Sequence, residues 1–201
     1  MPQKRKGECI LNVLAINGSP HPGGNTAHML RSVLSVCEEA GMETAVFQAG
    51  GRPVRGCMAC GGCERHPGRC AIDDWMNELY PLMLGADAIV LGSPTYFSDV
   101  SPEMKAVIDR CGFIAARTGK PFGRKVGAAV CAVRRAGALT TLGTMQNFLL
   151  MNDMILPGST YWNMSLSLRP GDYEKDDEGM RTMRRLGENL VWLLQKIHAD
   201  E

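Results

Sequence analysis

Net charge, long apolar runs, internal repeats and a disulfide-forming density of cysteine are all lacking in this 201-residue chain. Lys and Arg number 22 against 21 Asp and Glu, a formal charge of +1. That balance argues against nucleic acid as the main partner and against an anionic membrane surface. No apolar stretch approaches the ~20 residues that a spanning helix requires. The basic opening at 1–6 and the apolar run at 9–16 superficially resemble an export signal, but no small-residue cleavage site follows. The run enters a glycine-rich loop instead, so it reads as a basic tail (1–8) and a strand. Eight cysteines are too few for a disulfide scaffold at this length.

What is present is ordinary for a globular chain: 45% hydrophobic and 21% charged residues, enough to bury one sizeable core. The expectation is a single domain over 1–201. Cys9, Cys37, Cys111 and Cys131 lie in apolar elements and read as small buried hydrophobes. The other four are packed between 57 and 70. Clustered thiols without an export signal point to metal or redox chemistry in a reducing compartment, hence a cytoplasmic protein.

The runs at 10–17 (ILNVLAIN), 87–92 (DAIVLG) and 126–133 (VGAAVCAV) are apolar on both faces, as strands buried in a parallel sheet must be. Shorter strands are expected at 44–47 and 155–161. Helical spacing predicts helices over 27–40, 73–84, 139–151 and 180–197, with Asn25 and Thr26 as caps of the first. Pro81 is expected to break or kink the second. Ser101, Pro102 and Glu103 make a strong start for another helix, running to about Cys111. Residues 163–177 read as a loop. Strands alternating with helices specify an α/β doubly wound parallel sheet; five strands fit the flavodoxin-like order 2-1-3-4-5, with the ligand site where the order reverses.

Residues 18–26, GSPHPGGNT, join the first buried strand to the first helix. Backbone amides, hydroxyls and the positive end of a helix suit an anion there. The loop ends Gly24-Asn25-Thr26, with asparagine where a Walker loop has lysine, so nucleoside-triphosphate hydrolysis is disfavoured, and the G-x-G-x-x-G spacing is absent. Ser19, His21, Asn25 and Thr26 suit a monophosphate; turn glycines and a helix cap are the plainer alternative. Two further loops, Pro94-Thr95-Tyr96-Phe97 and 132–137 (AVRRAG), end adjacent strands and converge on the same crevice.

NGSPHPGGNT, AIVLGSPTYFSDVSPEMKAVIDR and the DD pair after the last clustered cysteine together resemble the NADPH-dependent FMN reductase family. The resemblance spans about residues 9–160. It implies FMN, its phosphate on Ser19, His21, Asn25 and Thr26. It places the isoalloxazine against Pro94, Thr95, Tyr96 and Phe97, with backbone amides donating to the ring and an aromatic covering it. Tyr96 and Phe97 read alternatively as core packing. Ala132, Arg134 and Gly137 complete the implied cofactor site, although Arg134 and Arg135 depart from the usual glycine-rich loop. These two suit reduced flavin or nicotinamide phosphates, or are solvated surface charges. Hydride would pass from NAD(P)H to FMN and on to a small-molecule or protein acceptor, with no catalytic side chain assigned. A homodimer or homotetramer is implied, with 163–177 as the candidate for exchange between subunits. The rivals, both without nicotinamide activity, are a flavodoxin-like electron carrier, although such carriers are typically acidic, and a flavin-binding scaffold.

Cys57, Cys60 and Cys63 recur every third residue and Cys70 follows, in CMACGGCERHPGRC. The motif forms an insertion over 54–72. Gly56, Gly61, Gly62 and Gly68 permit tight turns, and Arg52, Arg55, Arg65, Arg69 and His66 supply positive charge against Glu64. The pattern resembles iron-sulfur flavoproteins, implying a [4Fe-4S] cluster on these four cysteines beside FMN. A disulfide-forming loop, zinc, or a loop whose glycines matter more than its thiols are the competing readings.

Overall fold

The computed structural model describes residues 10–199; the basic tail and Cys9 lie outside the described residues. Strands β1 (Asn12–Asn17), β3 (Ala88–Pro94) and β4 (Val126–Val133) are buried almost throughout. With β2 (Glu43–Gln48) and β5 (Met164–Leu166) they form one parallel sheet in the order β2-β1-β3-β4-β5.

Alternate residues of each central strand feed opposite cores. Val13, Ala15, Val90 and Val130 meet α1 (Asn25–Glu39) and α6 (Asp177–Ile197) on one face. Leu14, Ile16, Ile89, Leu91 and Cys131 meet α3 (Met76–Gly85), α4 (Pro102–Arg117) and α5 (Ala138–Met151) on the other. Such double coverage explains the uninterrupted apolar runs. The fold is the expected flavodoxin-like one.

Several boundaries differ from expectation. Helix α1 begins after Gly24, so Asn25 and Thr26 stand in its first turn rather than capping it. Helix α3 continues through Pro81. Helix α4 extends six residues past Cys111 because Ile114 and Ala115 continue its buried stripe. Ser101 does cap α4, its hydroxyl accepting from the Met104 amide at 3.3 Å. The last strand is not 155–161: Ile155 contributes one bridge to Val126, and the chain pairs with β4 only from Met164. The expected loop at 163–177 therefore contains β5 and a 3₁₀ turn, Asp172–Lys175, whose Tyr173 is buried. A short helix, α2 (Gly62–Arg65), lies inside the cysteine segment. Among the described residues no helix is long and apolar enough to cross a membrane.

Candidate flavin crevice and cysteine cavity

The loop after β1 is shaped by residues to which the sequence reading assigned no role. Buried Asn17 donates from Nδ2 to Gln48 Oε1 at 2.7 Å, and its Oδ1 accepts from the Ser19 amide at 3.0 Å. Gln48 Nε2 then donates to the carbonyls of Ser19 and Gly50, each at 2.7 Å. Gly50 runs so close behind the loop that a Cβ there would stand 2.2 Å from the Ser19 carbonyl. Asn17 opens the NGSPHPGGNT stretch, but nothing in that pattern signals its bond to Gln48, 31 residues away.

Ser19 is buried and its Oγ accepts from the His21 amide at 3.2 Å, while His21 itself is exposed. Thr26 lies buried in the first turn of α1. No side chain caps that helix and no acid stands in its first turn, so its positive end faces the loop uncompensated, as an anion site requires. Asn25 is differently employed: Nδ2 donates to the Arg169 carbonyl at 2.9 Å and Oδ1 accepts from the Tyr173 amide at 3.3 Å. Its side chain clips the 169–173 segment beside the loop.

At the end of β3, the Thr95 amide donates to the Ala132 carbonyl at 2.9 Å, and its hydroxyl accepts from Thr141 at 3.1 Å. Tyr96 and Asp99 exchange backbone hydrogen bonds of 2.7 and 3.0 Å, closing a two-residue turn over Phe97 and Ser98. Both central residues are left-handed, with φ of 47° and 64°, a conformation that usually selects Asn and Gly. Phe97 is fully exposed, so the core-packing alternative does not describe it. The Thr95 and Tyr96 amides are thus consumed within the protein, whereas those of Phe97 and Ser98 meet no acceptor among the described residues. Gly137, φ 90°, admits this turn: a Cβ there would lie 2.7 Å from Ser98 Oγ. Pro94 is half-buried and Ala132 buried; Arg134 and Arg135 are exposed, with no ion pair among the described residues.

Cys57, Cys60, Cys63 and Cys70 line one cavity of about 330 Å³, closed on its far side by Arg110, Phe113, Ile114 and Arg117 of α4. Gly61 and Gly68 adopt left-handed φ of 67° and 80°. Gly62 approaches Ala71 too closely for any side chain, whereas Gly56 meets neither constraint. Among the described residues no three His, Cys, Asp or Glu side chains gather closely enough to hold a single metal ion. Ser101, which donates to the Gly18 carbonyl at 2.7 Å, stands at the crevice end of α4. Arg110 is nine residues further along, about 13 Å of helix rise.

Of the charges the sequence named, Arg65 donates to the Cys60 carbonyl at 3.5 Å and Glu64 lines the cavity, paired with Arg117. Arg69 pairs with Asp73 at 2.8 Å, and Arg52 pairs with Glu78 at 3.3 Å while lying over the Phe47 and Trp75 rings. The arginine at the thiols is Arg110, which is only 1% exposed and which sequence reasoning missed. Its Nε donates to Cys70 Sγ at 3.3 Å and its Nη atoms grip Asp74 at 2.7 and 2.8 Å. Burial works to raise the Asp74 carboxyl, but hydrogen bonds from Arg110 and the Met76 amide, with the Arg110 charge, hold it below its ordinary value. Burial pushes the remaining described thiols upward, Cys37 to about 11 and Cys111 and Cys131 to about 12. They are inert core residues, as expected.

Comparison with known proteins shows the family and the fold. Residues 11–168 match the family described as NADPH-dependent FMN reductase. The chain is 35% identical to an iron-sulfur flavoprotein of Methanocaldococcus jannaschii over 194 residues, covering 93% of this chain and 99% of that protein. In fold it is similar to the NAD(P)H:quinone oxidoreductase of Methanothermobacter marburgensis, with a TM-score of 0.67 at 16% identity, covering 90% and 96% of the two chains. RosB, solved with the bound intermediate 8-demethyl-8-formylriboflavin-5′-phosphate, superposes with a TM-score of 0.73 at 15% identity, covering 94% and 81% of the two chains.

Proposed function

Because the chain belongs to the NADPH-dependent FMN reductase family of flavodoxin-like oxidoreductases, we propose that it holds FMN in the crevice and takes hydride from NAD(P)H. The observation that carries this reading is the uncapped, acid-free start of α1 behind a loop pinned by Asn17, Gln48 and Gly50. Bound FMN supplies the two-electron chemistry that no side chain here provides.

Each element of the crevice has a task. Ser19, Thr26 and the first amides of α1 hold the phosphate, with His21 at the open side; Asn25 contributes by fastening the 169–173 segment. The Phe97 and Ser98 amides offer donors to the polar edge of the ring, Thr95 and Gly137 hold that turn in place, and Tyr96 and Phe97 supply exposed aromatic faces. Arg134 and Arg135, exposed and without an ion pair among the described residues, present positive charge to the phosphates of a nicotinamide cofactor.

The cavity fits an iron-sulfur centre: four thiols spread over the walls of one hollow suit a polynuclear group, with a buried guanidinium to offset its negative charge. Cys57, Cys60, Cys63 and Cys70 would hold a [4Fe-4S] cluster, which supplies one-electron transfer to an acceptor. Tyr161, Trp162, Leu166 and Leu168 form an exposed apolar margin beside the edge strand β5, and we assign this margin to contact with further copies. Such thiols require a reducing compartment, consistent with the cytoplasm.

Anaerobic purification, an absorption spectrum and iron and acid-labile sulfide analysis test the two cofactors separately. Stoichiometric FMN and NADPH oxidation with a quinone or ferricyanide acceptor are expected. Failure to bind FMN overturns the reductase reading; FMN binding without nicotinamide oxidation favours an electron carrier.

A further inference from the structure

We propose that Arg110 is a positioning residue that raises the reduction potential of the cysteine centre through Cys70, an inference that rests on the cluster reading above. Arginine carries five N–H donors, and all five of Arg110's are placed. Nε donates to Cys70 Sγ at 3.3 Å. Nη1 donates to the Arg55 carbonyl at 3.2 Å and to Asp74 Oδ2 at 2.7 Å. Nη2 donates to the Ile72 carbonyl at 3.3 Å and to Asp74 Oδ1 at 2.8 Å.

The guanidinium therefore has no freedom to turn its Nε away from the sulfur. It also joins the two ends of the cysteine segment, at Arg55 and Ile72, to α4. Asn77 of α3 fixes the same cysteine from the main-chain side: its Oδ1 accepts from the Cys70 amide at 2.9 Å and its Nδ2 donates to the Cys70 carbonyl at 3.3 Å. Cys70 is the best-anchored of the four thiols.

Adding one electron to a thiolate-held centre increases its negative charge. A buried N–H donor and cation at the sulfur stabilise the more negative state, so the potential rises. Asp74 lies on the opposite prongs of the fork and opposes this effect. Removing the two partners should therefore move the potential in opposite directions, which a purely structural clamp would not do.

The test uses anaerobically purified wild-type protein, Arg110→Gln, Arg110→Lys and Asp74→Asn. Iron and acid-labile sulfide are measured first, then the midpoint of one-electron reduction by dithionite, followed by electron paramagnetic resonance. Arg110→Gln should lower the midpoint with iron retained, Arg110→Lys should lower it less, and Asp74→Asn should raise it. An unchanged midpoint in iron-loaded Arg110→Gln, or shifts of the same sign in Arg110→Gln and Asp74→Asn, overturns the proposal. Should Arg110→Gln fail to fold or load, Asp74→Asn decides: an upward shift supports the proposal, and an unchanged or lower midpoint overturns it. Wild-type protein without iron and sulfide overturns the cluster reading itself, and this inference with it.

Discussion

The guanidinium of Arg110 and the carboxylate of Asp74 meet in a two-pronged ion pair, with N···O distances of 2.7 and 2.8 Å, tying the middle of α4 to the turn after the cysteine segment. Cutting such a pair on one side leaves a buried charge uncompensated, so Asp74→Ala should cost about 3–5 kcal/mol in urea unfolding.

The same pair carries a pH signature. The Asp74 carboxyl is held below its ordinary value in the folded protein. Its stabilising contribution is then fully present above about pH 4, the unfolded value, and is lost as the pH falls through the lower folded value. Wild-type melting temperature should drop in that acid window, and the slope there should flatten in Asp74→Ala.

Gly50 backs directly onto the phosphate loop, its virtual Cβ 2.2 Å from the Ser19 carbonyl. Gly50→Ala must displace Ser19, and FMN affinity should fall by about tenfold or more, roughly 1.4 kcal/mol per decade. Calorimetric titration of FMN into the apoprotein measures this; unchanged affinity would remove the loop from the site.

Phe97 and Ser98 occupy left-handed backbone in a two-residue turn, a placement that costs of order 1–3 kcal/mol per residue. Replacing the pair by Asn-Gly should raise the unfolding midpoint while weakening flavin binding, because the aromatic cover is lost. A loss of stability instead would show that the turn is not strained.

Thiol reactivity should divide the cysteines sharply. In metal-free protein at pH 8, Cys57 and Cys60 are exposed and Cys63 and Cys70 partly so, whereas Cys37, Cys111 and Cys131 are buried. Iodoacetamide followed by peptide mass spectrometry should label the first four in the native protein, and the other three only after denaturation.

The central sheet was legible because β1, β3 and β4 must be apolar on both faces, a pattern few alternatives mimic. The edge strand was misplaced to 155–161, since a strand of three residues has no period to read and is defined by its pairing with Cys131, Ala132 and Val133. Asn25 was legible as a residue of the phosphate loop, but its bonds reach residues 169 and 173, a separation that local pattern does not register.

Local chemistry along the chain sufficed to place the buried strands, the glycine-rich loop after β1 and the four clustered thiols, since each depends on near neighbours or on alternation within one element, whereas the strand order is fixed by pairing between strands. Arg110 shows what it left undecided. On a helix an arginine reads as surface, and only the packing of α4 against a segment some 40 residues earlier buries it, satisfies all of its donors and sets it against a sulfur. Burial and pairing depend on what lies opposite, so tertiary structure alone assigns them.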